Sequence, residues 1–189
     1  MTPSTSGTSL PRGEIIQQMD GVYELFPVSP EQDVLLGVIK DCLAEWEHIR
    51  IGPLIPGAIW EIKPPCPPRI GFLDGYVTLD FQNWHCHLCI GESRSAPPDV
   101  AKHRRTGRAE LYRRLNPDSQ PTSWGFRMFN GAGEQQVTIL LPNPHLDEDQ
   151  NYVDEPDWNR LYLWDRLAQK YLGRGQDPLD RSAPKFFHG

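Results

Sequence analysis

The segment Trp84-His85-Cys86-His87-Leu88-Cys89-Ile90 places two of the six histidines and two of the four cysteines of the chain within five positions. Its alternation of apolar and polar residues is typical of a β-strand, whose side chains point alternately to two faces. One face would carry Trp84, Cys86, Leu88 and Ile90, and the other would carry His85, His87 and Cys89. We expect the first face to be buried and the second to be available for chemistry.

Imidazole and thiolate groups are ligands for divalent metal ions. Same-face neighbours on a strand lie about 6.6 Å apart and next-but-one neighbours about 13 Å apart, so His85 and His87 can bind one ion that Cys89 does not easily reach. A third ligand must therefore come from elsewhere. Glu92 gives the spacing His-x-His-x4-Glu, which resembles the first half of the metal motif of cupin barrels, although the rest of that motif is absent.

Further candidate ligands are His103 and His145, with Cys89 nearby. Two histidines, one more ligand and an open position would suit zinc, iron or manganese, which could polarise a substrate or activate water. The sequence thus predicts a metal-binding protein, which could be a small mononuclear metalloenzyme, and it does not decide whether a reaction occurs.

Two other interpretations of the segment stay open. Cys86 and Cys89 form a Cys-x-x-Cys unit, which could be redox-active or half of a structural zinc site, although strand alternation points the two thiols apart. Alternatively, His85 and His87 simply cover an exposed sheet face and bind no ion.

A second candidate site is basic. We predict a helix over residues 98–115, on which Arg104 and Arg108 lie one turn apart, so that both could contact one carboxylate or phosphate. Trp124 and Arg127 could line a pocket near the histidines. These four residues are the predicted contacts for a small anionic ligand, and a solvated helix face is the alternative for the two on the helix.

The composition limits the classes of function. A chain of 189 residues with a net charge of −6 fits one domain and has no general attraction for nucleic acid. No run approaches the roughly 18–20 apolar residues of a membrane span, and the first residues lack the apolar core of a secretory signal. We therefore expect a cytoplasmic protein with no membrane contact.

The remaining patterns indicate alternating helices and hairpins. A helix is predicted to begin at Ser29-Pro30-Glu31-Gln32 as a capping box, and another to end at Gly173. Strands are predicted at 58–63, 70–81, 84–90, 124–129 and 135–141. We predict an α+β fold, in which one antiparallel sheet of hairpins carries about three helices. The single domain would span residues 14–173, between an arm at 1–13 and an extended tail at 174–189.

The stretches HCHLCIGE, SWGFRMFNGAGEQQ and LPNP together resemble a bacterial domain family of unknown function, a resemblance that implies no activity. The alternative to metal binding is a non-catalytic interaction subunit, whose Pro-rich arms, basic helix and acidic loop would contact a protein partner or a second copy of the chain.

Overall fold

Residues 12–184 are described by a computed structural model of the chain. They form a six-stranded antiparallel sheet in the order β1-β2-β9-β10-β11-β3, a three-stranded sheet in the order β6-β7-β8, and a two-stranded hairpin of β4 and β5. The strands of the large sheet are β1 (Glu14–Gln18), β2 (Gly21–Val28), β9 (Thr106–Leu115), β10 (Pro121–Asn130), β11 (Gln135–Leu140) and β3 (Arg50–Gly52). The other strands are β4 (Leu54–Ile55), β5 (Ala58–Ile59), β6 (Arg69–Leu73), β7 (Tyr76–Asp80) and β8 (His85–Cys89).

Three α-helices occur in residues 12–184, namely α1 (Gln32–Leu43), α2 (Pro98–Arg104) and α3 (Tyr162–Leu172). The main core lies on one face of the six-stranded sheet, where side chains of that sheet meet α1, α3 and the inner face of the three-stranded sheet. Leu35 and Ile39 of α1 are fully buried in it, as is Val77 of β7. The architecture confirms the predicted α+β class. No helix among the described residues combines the length and apolar content needed to cross a membrane.

The hairpins on either side of the predicted sites are confirmed. Strand β8 pairs antiparallel with β7, and Gln82 adopts a φ of 69° in the turn between them. Strands β10 and β11 are joined through Gly133, whose φ of 82° suits glycine because it has no Cβ to clash.

The predicted helix over 98–115 is wrong beyond Arg104. Arg105 has an extended backbone (φ −63°, ψ 144°), and strand β9 follows at Thr106. From Ala109 onward the side chains alternate between the two faces of the sheet, and β9 pairs with β2 on one side and β10 on the other. Arg104 and Arg108 are therefore not one helical turn apart.

The first long helix also begins later than predicted. Its N-cap is Glu31, with no side-chain cap, while the Ser29 hydroxyl accepts a hydrogen bond from the Glu31 amide at 3.3 Å. The side-chain amide of Gln32 lies against Gly91 and does not close the predicted capping box.

The structure adds elements near both ends of the described residues that the sequence interpretation did not include. Strands β1 and β2, within residues 14–28, were not predicted. Of the predicted arm, residues 1–11 lie outside the described residues. The predicted tail contains a 3₁₀ turn at Pro178–Arg181, in which Asp180 is buried, and residues 185–189 lie outside the described part.

Candidate functional site

His85 and His87 lie side by side on the exposed face of β8, with their ring centres 5.0 Å apart. The register places Thr78 of β7 opposite His87, and the Thr78 hydroxyl lies 2.8 Å from Nδ1 of His87. A ring nitrogen engaged in this way fixes the orientation of the imidazole and leaves Nε2 for other contacts. No other hydrogen bond to either ring comes from residues 12–184. We call these two residues the histidine pair.

Asp80 is the acidic residue nearest to the pair in register, directly opposite His85. Its carboxylate accepts hydrogen bonds from the Gln82 amide at 2.8 Å and from Arg69 at 2.7 Å. These bonds hold the pKa of Asp80 below its ordinary value, and the bond from the Gln82 amide has the largest effect. The carboxylate is thus already engaged within its own sheet.

The other predicted metal ligands lie apart from the histidine pair. Glu92 lies 3.7 Å from Arg105, and His103 lies 3.8 Å from Glu134 beside the β10–β11 turn. Cys89 is buried at the end of β8, where its thiol donates to the Gly91 carbonyl at 3.7 Å. Residues 12–184 contain no group of three or more His, Cys, Asp or Glu side chains that could hold an ion. The described chain therefore supplies the two imidazoles without the predicted third ligand.

The two cysteines of the Cys-x-x-Cys unit are free thiols on opposite faces of β8. Burial raises the pKa of Cys86 to about 11, and it also raises the pKa of Cys89. A reactive redox thiol needs a lowered pKa, so both environments disfavour redox chemistry.

The four predicted ligand-binding residues do not form one site. Trp124 is 1% exposed in the main core, where its Nε1 donates to Asp180 at 2.9 Å. Arg104 ends α2 on the surface. Arg108 and Arg127 lie on the second face of the six-stranded sheet, so neither Trp124 nor Arg104 shares a site with them.

Arg108 and Arg127 contact the same carboxylate. Arg127 Nε donates to Glu110 at 2.6 Å, and Arg108 Nη1 donates to the other oxygen at 2.8 Å. The Arg127 guanidinium also lies 5.0 Å from the centre of the Tyr112 ring and 5.4 Å from that of Phe129. Glu110 thus bridges two guanidiniums, and one carboxylate against two cations leaves the cluster with one excess positive charge.

Two adjacent cavities lie at the end of the three-stranded sheet that is away from the histidine pair. Both are lined by Glu92, Arg94 and Arg105. The first, of about 690 Å³, is bounded by the start of α1 and by Asp74, and we call it the acidic cavity. The second, of about 710 Å³, lies between residues 92–98, α2 and the start of β9, and we call it the basic cavity. Lys102 is its third cationic residue.

Asp74 holds the loop that carries Arg94. Its carboxylate accepts hydrogen bonds from the side chains of Ser93 and Ser95 and, at 2.6 Å, from the amide of Arg94. These bonds lower the pKa of Asp74 to about 2, and the bond from the Ser95 hydroxyl has the largest effect. The loop is therefore tied down by a carboxylate that stays ionised.

Sequence reasoning missed Thr78 as the partner of His87, and it missed Arg94 and Arg105 as cavity residues. Thr78 follows from the pairing of β7 with β8 once the turn at 82–83 is placed. Arg94 carries no local pattern, because it lies in a loop. Arg105 follows only if the helix is ended before Thr106-Gly107.

Fold and site together define an α+β domain with a paired-imidazole surface and a separate basic cavity. Residues 14–173 match the model of a family of unknown function, DUF7676, and the chain belongs to that family. This confirms the predicted membership in a family of unknown function, while the bacterial origin stays a prediction.

No curated protein matches the chain. Among solved structures, the chain is similar to one described as "Crystal structure of ChuX", at 15% identity and a TM-score of 0.49, over 80% of this chain and 78% of that one. A similarity of this size supports no argument about function.

Proposed function

We propose that the protein binds a divalent transition-metal ion through the histidine pair, His85 and His87. The observation that carries the proposal is the 5.0 Å separation of the two ring centres on one exposed face. A metal–nitrogen distance of about 2.1 Å puts each imidazole centre about 3.2 Å from the ion, so two imidazoles on one tetrahedral ion have centres about 5 Å apart. The separation of the two ring centres meets this condition.

The hydrogen bond between Thr78 and His87 supports the same proposal. Metal-binding histidines commonly engage their second nitrogen with a neighbouring polar group, which fixes the ring. With two protein ligands, the ion keeps positions for water or for an exogenous ligand. Such a site suits zinc, iron or manganese binding and leaves open whether the ion serves catalysis, sensing or storage.

The test is a zinc titration of untagged protein, followed by calorimetry. We expect the wild type to bind one equivalent of zinc. His85→Ala and His87→Ala should each weaken zinc binding by about tenfold or more, because the single remaining imidazole cannot chelate the ion. Thr78→Val keeps both imidazoles and should weaken binding about tenfold, since it removes the partner of His87 Nδ1.

His103→Ala is the matched control, because His103 is an exposed histidine outside the pair. Zinc affinity equal to the wild type in the His85→Ala/His87→Ala double variant would contradict the proposal. So would an equal loss of affinity in the control.

A second candidate function is that of a non-catalytic interaction subunit. The surface feature that favours it is the β4–β5 hairpin rather than the predicted Pro-rich arms. The β4–β5 hairpin exposes Ile55 (45%), Ile59 (70%) and Trp60 (54%). Apolar side chains clustered on one exposed hairpin are typical of a protein contact surface. We name these three residues the apolar hairpin.

A further inference from the structure

We infer that the basic cavity is a binding site for a small organic anion, with a carboxylate or phosphate head and a compact apolar body. The inference is independent of the proposed metal site, since neither His85 nor His87 lines the cavity.

The charge of the cavity is the first observation. Its lining contains Arg94, Lys102 and Arg105 against one acidic residue, Glu92. The adjacent acidic cavity has the opposite balance, because Glu31, Asp33 and Asp74 join its lining. In a chain with a net charge of −6, the basic cavity is thus a local exception that attracts an anion.

The state of Arg105 is the second observation. Its side chain is 33% exposed, yet its guanidinium makes no hydrogen bond to any residue of 12–184, and its nearest acidic atom is Oε1 of Glu92 at 3.7 Å. Arg181 has a similar exposure of 27% and donates to Asp165 at 2.6 Å. A partly exposed guanidinium that makes no hydrogen bond within the described residues can offer its paired donors to a planar carboxylate or phosphate.

The shape and rigidity of the cavity are the third observation. A volume of about 710 Å³ lies in the range of small-molecule sites. Ala96, Pro98 and Ala101 supply an apolar wall beside the cations. Gly131 forms the floor of the cavity. Its amide donates a hydrogen bond to the His103 carbonyl at 3.0 Å, which ties α2 to the β10–β11 turn and fixes the floor in place.

That floor cannot carry a side chain at position 131. A Cβ there would come within 2.1 Å of the Lys102 carbonyl oxygen. The close approach fixes the end of α2, which carries Lys102 and leads into Arg105, while Asp74 holds the loop of Arg94, so the cations are presented by a preformed wall.

The test is a titration with phenyl phosphate, inorganic phosphate and phenol, followed by amide chemical shifts of isotopically labelled protein. We expect phenyl phosphate to bind saturably below about 10 mM and to shift the amides of Gly107 and Gly131. Inorganic phosphate should bind more weakly, because it lacks the apolar body, and phenol should not bind.

Arg94→Gln and Arg105→Gln should each weaken phenyl phosphate binding about tenfold, and Arg105→Lys should fall in between, because it keeps the charge but loses the paired donors. The matched control is Arg166→Gln, which removes an exposed arginine ion-paired with Glu45 on another surface and should leave binding unchanged.

Three results would overturn the inference. They are equal binding of phenol and phenyl phosphate, wild-type affinity in Arg105→Gln, and no phenyl phosphate binding at about 10 mM. Co-sedimentation with phosphatidic-acid vesicles, without binding of phenyl phosphate, would also overturn it, because the phosphate recognised would then be that of a membrane surface.

Discussion

His145 shows how a single buried residue makes stability depend on pH. It is 2% exposed, and its ring lies 6.4 Å from the centre of the Trp124 ring and 5.5 Å from that of Trp158. Burial lowers the pKa of His145 below its ordinary value of 6.5. The fold therefore favours the neutral imidazole, and the unfolded chain binds the additional proton as the pH falls.

We predict that the free energy of unfolding decreases as the pH falls below about 6.5 towards the lowered pKa of the folded state, because there the unfolded chain binds the His145 proton and the folded chain does not. In His145→Gln this contribution should be absent, so the variant should show a shallower decrease than the wild type in urea titrations at each pH. The exposed His103→Gln serves as the control. A slope in His145→Gln equal to that of the wild type would contradict the assignment.

The histidine pair shows which features of the candidate site could be predicted from the sequence and which could not. That His85 and His87 share an exposed face follows from strand alternation, which is local and needs no knowledge of neighbours. Thr78 could not be assigned to His87 in the same way. Its position depends on the register of β7 against β8, which the turn at 82–83 sets.

Among the elements, β9 shows why a strand was predicted as a helix. Its inward face is apolar except for Arg113, which is 2% exposed and breaks the alternation expected of a buried strand. The charge is compensated by Glu24 at 2.6 Å and by Asp180 at 2.7 Å, and the two lie 89 and 67 residues away along the chain. No local pattern reveals such partners, so the sequence indicated a solvated basic helix.

Asp180 is a buried carboxylate that ties the C-terminal 3₁₀ turn to the core. Asp180 is 1% exposed and accepts hydrogen bonds from Arg113, from Trp124 Nε1 and from Trp164 Nε1, the last two both at 2.9 Å. A buried charge of this kind is stable only while its partners remain, since removing one partner leaves the other uncompensated.

We predict that Asp180→Asn lowers the free energy of unfolding by about 3 kcal/mol, because Arg113 then keeps its buried charge with one carboxylate fewer. Asp118→Asn, on an exposed turn, should change it by less than about 0.5 kcal/mol. Urea denaturation monitored by tryptophan fluorescence measures both. A cost below about 0.5 kcal/mol for Asp180→Asn would show that the turn is not part of the cooperative fold.

At the scale of the whole molecule, the α+β class could be predicted because two hairpins and two long apolar stripes are local patterns. The order of the six-stranded sheet could not be. One of its two central strands, β9, was predicted as a helix, and β1 and β2 were missed although Asp20-Gly21 between apolar runs is a hairpin signal. The acidic cavity was out of reach because it lies between elements distant in the chain, and the basic cavity because the predicted helix ran past Arg105.

The apolar hairpin gives a prediction about association. If it contacts a second copy of the chain, sedimentation velocity should show a mass that increases with protein concentration, and Ile59→Ser/Trp60→Ser should abolish the increase by removing apolar surface. Met19→Ser is the matched control, because Met19 is 99% exposed in the β1–β2 turn. A wild type that stays monomeric at about 0.1 mM would contradict homo-oligomerisation through this surface.

Gly75 and Gly91 meet where the three-stranded sheet borders the acidic cavity. A Cβ on Gly75 would come within 2.7 Å of the Gly91 carbonyl oxygen, and one on Gly91 would come within 3.2 Å of the Gly75 Cα. A side chain at Gly75 would therefore require the Gly91–Glu92 backbone to move, whereas one at Gly91 would require a shift of a few tenths of an ångström at Gly75 and a new position for the Gln32 side chain. Position 75 therefore limits how far evolution or protein engineering can reshape the acidic cavity by single substitutions, because a new side chain there also requires the backbone of residues 91 and 92 to move.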